Sequence, residues 1–117
     1  MSLTQREYQQ KMITLLREAE ELAERHLEIH PTQPEKVRIG FFRHATIRPL
    51  SEITLTFNQD GESDQTPLYV NDKGRLVYWQ SERHRWLRVL TPDETPSWTV
   101  ANIIYDLKRG FTLGAFY

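Results

Sequence analysis

The hydrophobic period of this chain changes once, and that change limits most of what it can fold into. Tyr8, Met12, Leu15, Leu16, Ala19, Leu22, Ala23 and Leu27 recur at spacings of three and four. That spacing lines one side of a helix. Thr4 with Glu7 makes a T-x-x-E capping box, so the predicted helix covers about residues 4–28. Pro31 and Pro34 cannot continue it. Beyond them the period drops to two. Val37, Ile39 and Phe41 alternate with polar or small residues, and so do Ile53, Leu55 and Phe57. Both stretches read as half-buried strands with their apolar sides turned to the helix. Residues 44–50 between them read as a loop or an edge piece, because Pro49 removes a ladder donor.

The segment NQDGESDQTP, residues 58–67, reads as a polar turn region. In PLYVNDKGRLVYW two apolar runs flank Asn71–Gly74, a hairpin turn in which Gly74 takes a positive φ. HRWLRVL supplies a further strand, so the sheet spans about 36–90. Thr95 before Pro96 at the first helical position starts a second helix of about 96–109, with Trp98, Ala101, Ile104, Tyr105 and Leu107 on its apolar face and Gly110 past its end. The tail 111–117 is apolar and expected to dock. The whole reads as a single domain over 1–117. Its fold class is α+β in two layers, an antiparallel four- to five-stranded meander covered on one face by a long N-terminal and a shorter C-terminal helix. The uncovered face is expected to carry Arg38, Thr54, Thr56 and some of the arginines between Gly74 and Leu90.

YVNDKGRLVY, the following tryptophan and TPSWTVANIIYDL are similar to the segment of the ubiquitin-conjugating fold that runs from its last strand into its crossover helix. The resemblance covers roughly Pro67 to Leu107, and it implies the order helix, antiparallel sheet, helix. Lys36 to Thr66 is short for three long strands, and no proline-rich run precedes Tyr69. With no cysteine anywhere in the chain, thioester transfer is excluded and a binding role alone is implied.

The same lack of cysteine excludes disulfides, thiol nucleophiles and thiolate metal sites. It fits a cytoplasmic protein, as does a polar start with no secretory leader. No apolar run reaches the roughly 18 residues of a membrane helix. A net charge of -1 gives no overall field towards nucleic acid or acidic lipid, so such binding requires a local patch. No membrane partner is expected. His26 and His30 sit four apart on a helix end, where positive charge suits the dipole; this reads as an incidental pair rather than a metal site. Asp60, Glu62 and Asp64 read as solvated loop charges, or at best a loose cation site. Nucleotide cradles and nucleophile elbows are missing, and no cofactor is expected.

What remains is GRLVYWQSERHRWLRVL. Five basic residues and one acid fall between Lys73 and Arg88, with two tryptophans among them. Arginine beside tryptophan is the composition of a protein hot spot. The first reading is a cofactor-free protein-interaction module: an adaptor, assembly factor or inhibitor-like partner. It would use Trp79, Arg83, Arg85, Trp86 and Arg88, with Phe116 and Tyr117 of the tail. The partner is another protein or a second copy, since glutamates 18, 20, 21 and 24 oppose the basic hairpin. The second reading gives the same hairpin to nucleic acid, with rings stacking bases and arginines on phosphates. The third is a small hydrolase or nuclease in which His84, flanked by Arg83 and Arg85, acts as base. The balance leans away from catalysis.

Overall fold

The computed structural model describes residues 4–59, 62–80 and 87–114. Helix α1 (Gln5–Ile29) precedes five strands: β1 (Glu35–Arg38), β2 (His44–Gln59), β3 (Glu62–Asn71), β4 (Leu76–Trp79) and β5 (Leu87–Val89). Helix α2 (Ser97–Gly114) follows. All strand pairs are antiparallel, and the spatial order β1-β2-β3-β4-β5 repeats the chain order. This is the two-layer α+β meander that the change of period predicts, in the helix–sheet–helix order that the ubiquitin-conjugating resemblance implies.

Local chemistry sets the helix ends. Thr4 is extended, and its Oγ1 accepts the Glu7 amide at 3.2 Å. At the other end the His30 amide donates to the His26 carbonyl at 2.7 Å, and Pro31 follows. The buried stripe of α1 is Met12, Leu16, Ala19, Ala23 and Leu27, while Tyr8 lies near the N-terminus and stays exposed. α1 rests chiefly on α2, and α2 on β2. The fully buried Ala19 and Ala23 stand on the α1 stripe, where small side chains let helices approach. The inward face of α2 is Val100, Ile103, Ile104 and Leu107. The expected face is corrected here. Trp98 and Tyr105 are exposed, because positions 98, 101 and 105 fall on the opposite side of the helix from 100, 103 and 107. α2 starts one residue later than expected, since Pro96 supplies the carbonyl for the Val100 amide. It also runs through Gly110 to Gly114, so residues 111–114 are helix rather than a separate tail. Residues 115–117 lie outside the described set.

β2 and β3 are longer than the sequence suggests. β2 takes in 44–50, read as loop or edge, and β2 and β3 continue into the polar stretch around 58–67. β2 is broken by an irregularity: Pro49 pairs with Tyr69, and the next pair is Thr54 with Pro67. β2 therefore advances five positions while β3 advances two. Glu52 takes a positive φ of 66° in this bulge. The carbonyls that the bulge frees from the ladder are met from outside it. Thr32 Oγ1 donates to the Pro49 oxygen at 2.7 Å, and His26 Nε2 donates to the Ser51 oxygen at 3.0 Å. The odd number of extra residues reverses the alternation. Leu50, Ile53 and Leu55 all join the core under the helices, whereas Ile47 does not.

His26 is thus a buried group, 4 % exposed, so the pair is not placed there to set a positive charge on the helix dipole. Burial is the largest influence on its pKa and lowers it. The Ser51 bond and Glu52 oppose that shift, and His30, with ring centroids 4.9 Å away, adds to it. The unfolded chain takes the proton more readily than the folded one. Stability from neutral His26 is present above its ordinary pKa of about 6.5 and is lost as pH falls towards the lower folded value. Urea midpoints between pH 7.5 and 5.5 are expected to decline for the native protein and to decline less for His26→Gln. Glu20, its carboxyl pushed up by burial, works in the opposite sense at lower pH, so the difference between the two proteins is the quantity to read. Equal slopes would contradict the assignment.

The Asn71 turn forms as its sequence predicts. Gly74 has φ 79°, and Asn71 Oδ1 accepts the Lys73 and Arg75 amides at 3.0 and 2.9 Å. The β1–β2 hairpin does not. β1 ends at Arg38, so Ile39 and Phe41 do not point inward; Ile39 is 44 % exposed, Phe41 85 % and Phe42 93 %. The reason is strand length. The last β2–β3 pair at this end is Ile47 with Asn71, and the β1–β2 pairs continue past it to Arg38 with His44. Among the described residues, β1 packs on β2 and on neither helix to any comparable extent. A Cα radius of gyration of 15.0 Å, against about 13 Å for a compact chain of this size, fits such projections.

Candidate interaction surface

The register places a second apolar set on the sheet face opposite the helices. Pro49, Tyr69, Val77 and Val89 are successive partners across β2 to β5, and Trp79 pairs with Leu87 beside them. Ile47 belongs to the same face. Ile47 and Val77 are 0 % and 1 % exposed yet stand outside the core cluster that the helices cover. Their neighbours Val37, Pro49, Tyr69, Trp79, Leu87 and Val89 are half-buried. Among the described residues no helix covers this face. The expectation for it is corrected in part. Thr54 is there, and Thr56 follows it in register, but Arg38 pairs with His44 on the other side. The middle of the face is apolar rather than polar.

The site residues that the sequence points to divide accordingly. Trp79 lies on the uncovered face. Arg88 pairs with Tyr78 and therefore lies on the helix side. Its Nε donates to Gln80 Oε1 at 2.6 Å, and its NH1 contacts Glu94 Oε2 at 3.0 Å. Side-chain exposures of 42 % and 63 % make this a surface pair that contributes about 1 kcal/mol or less. Trp79 and Arg88 do not share a surface. Arg83, His84, Arg85, Trp86, Phe116 and Tyr117 lie outside the described residues.

A cleft opens where the sheet forks. β3 pairs with β4 only at Tyr69 and Val70, and Pro67 then removes a donor that further pairing would use. The distal β2–β3 ribbon separates there from β4. The resulting cavity, about 340 Å³, has Leu55, Tyr78, Gln80, Glu94 and the α2 start at Thr95 and Thr99 along its wall. Thr99 Oγ1 is buried with no hydrogen-bond partner. The size is at the lower end for small-molecule sites. Its chemistry is thin: the charge of Glu94 is taken up by Arg88, and among the described residues no base–nucleophile pair faces the space. Among the described residues, no three histidine or carboxylate side chains converge as a metal site.

Sequence reasoning missed Ile47 and Val77 as a second buried set and Phe41–Phe42 as an exposed pair. The sequence carries no sign of the first: Ile47 and Ile53 share parity across Pro49, and a regular strand would put both on one face.

The class is therefore a small two-layer α+β protein with a five-stranded antiparallel sheet, helical on one face and apolar on both. No protein-family profile matches the chain, and neither a curated protein nor a solved structure does. No described helix is long and apolar enough to cross a membrane.

Proposed function

We propose that this chain is a small protein-interaction module, an adaptor, assembly factor or inhibitor-like partner acting in the cytoplasm, which binds through the sheet face that the helices leave open. One observation carries the reading: the row Pro49–Tyr69–Val77–Val89 with Trp79 and Leu87 beside it, apolar across four strands and under no described helix. Half-buried aromatic and aliphatic groups around a sealed centre suit the core of an interface. The arginine-rich segment that begins two residues after Trp79, with Arg83, Arg85 and Trp86, supplies residue types enriched at hot spots. Nucleic-acid binding ranks below this, because Arg88 turns to Gln80 and Glu94 on the face opposite Trp79. The partner is a different protein or a second copy.

Affinity capture from native lysate, identified by mass spectrometry, supplies the partner, and light scattering reads self-association. Trp79→Ala is expected to weaken the captured complex by about 2 kcal/mol or more, and Arg85→Ala with Trp86→Ala by a similar amount. An unchanged dissociation constant in both variants would place the interface elsewhere.

A further inference from the structure

Residues 36–46 form the projecting end of the β1–β2 hairpin. They contain Lys36, Arg38, Arg43 and His44 and no acidic residue, in a chain whose net charge is -1. At the apex Ile39, Phe41 and Phe42 are 44 %, 85 % and 93 % exposed. Three residue pairs lie beyond the last β2–β3 pair, which carries the tip roughly 10 Å clear of the five-stranded region. The turn is held from within. The Ile39 amide donates to the Arg43 carbonyl at 2.9 Å, and the Arg38 guanidinium donates to the Gly40 and Phe41 carbonyls, each at 3.0 Å. The Gly40 and Phe41 carbonyls at the apex thus have partners within the hairpin.

We propose that this tip docks the protein on an anionic lipid surface, with Phe41 and Phe42 entering the interface and the cations behind them at headgroup level. It goes beyond the protein-interaction reading and uses a different part of the fold. A protein hot spot fills a matching pocket, whereas a bilayer accepts any convex apolar tip to a depth of about 5–10 Å. Two adjacent rings at a ribbon apex are the shape for the second case, and they carry apolar surface without an apolar rim. The charge pattern agrees, since the basic residues flank the rings within a few positions on either side and attract anionic headgroups at that depth. Internally bonded carbonyls matter for the same reason, because a bare backbone group resists leaving water. A net charge near zero offers no overall attraction to such a surface, and this cluster is the local patch that replaces it.

The test is flotation of the full chain with vesicles of phosphatidylcholine alone and of phosphatidylcholine with phosphatidylserine. The protein is expected to float with the anionic vesicles at low ionic strength and to detach as salt rises. Phe41→Ala with Phe42→Ala is expected to weaken binding at least about tenfold. Lys36→Gln with Arg43→Gln is expected to weaken it roughly twenty-five-fold, at about fivefold per cation. Both variants change exposed groups, so their thermal melts should match the native protein. Native protein that stays unbound on anionic vesicles overturns the proposal, and so does a double phenylalanine variant that floats like the native one. A change in oligomeric mass in that variant, with no native vesicle binding, would assign the tip to a protein contact and also overturn it.

Discussion

Val77→Asp is expected to destabilise the protein by about 3 kcal/mol or more, although Val77 lies on the face that no described helix covers. Its partners in register are Tyr69 on β3 and Val89 on β5, and it is 1 % exposed. A carboxylate there loses its water and meets no cation in register. It must stay charged at that cost, become protonated, or break the β4 pairing. On an ordinary two-layer sheet the outer face is solvated, and the same change falls within about 0.5 kcal/mol. Denaturant midpoints of the two proteins separate these cases. A near-neutral result would mean that the second apolar set is open, and the interaction surface would lose its sealed centre.

Leu68→Ala tests the other face, and about 3 kcal/mol of lost stability is expected. Leu68 is 0 % exposed on the helix side of β3. It lies between Pro67, paired with Thr54, and Tyr69, paired with Pro49, directly opposite the bulge that turns both Leu50 and Ile53 inward. Three apolar side chains meet there because of the irregularity, so truncating the central one leaves a cavity that a bulged backbone with bonded carbonyls cannot readily close. Total stability for a domain of this size is about 5–15 kcal/mol, so the loss is a large fraction of it. A cost below about 1 kcal/mol in urea unfolding would mean that the bulge collapses onto the space and does not hold its shape.

The two faces of the sheet differ in how far they are closed. The helix side is closed by Met12, Leu16, Val100, Ile103 and Leu107 from the two helices. The opposite side has a sealed strip but half-buried flanks, and Trp79 belongs to it. A partner laid across those flanks would bury surface that is already partly desolvated. The Phe41–Phe42 tip lies at the end of the sheet where the β1–β2 and β3–β4 turns are, away from the end of β4 at Trp79. Variants at the tip and at Trp79 therefore test separate surfaces.

Much of the fold was legible because its causes are local. The Thr4 cap, the Met12–Leu27 stripe, the prolines after it and the Asn71–Gly74 turn act over four residues or fewer, and each stands where the sequence predicts. The inward face of α2 was less legible: Trp98 and Tyr105 look as apolar as Ile103, and only the partner helix and β2 decide which side is buried. The candidate site was least legible. Strict alternation groups Trp79 with Val77, which is correct, but it cannot say that Arg88 pairs with Tyr78 and so faces away from Trp79. That depends on the partner strand.

By itself the sequence determined the element types, their order, the antiparallel connections and the missing thiol chemistry, since each rests on periodicity, on turn residues or on composition. Tertiary structure alone decided that Ile47 and Ile53 face opposite ways, that His26 is buried against Ser51, and that Phe41 and Phe42 stand free. Those outcomes depend on how far each strand has a neighbour and where the ladder slips. Such contacts are made between residues distant in the chain, and no local pattern encodes them.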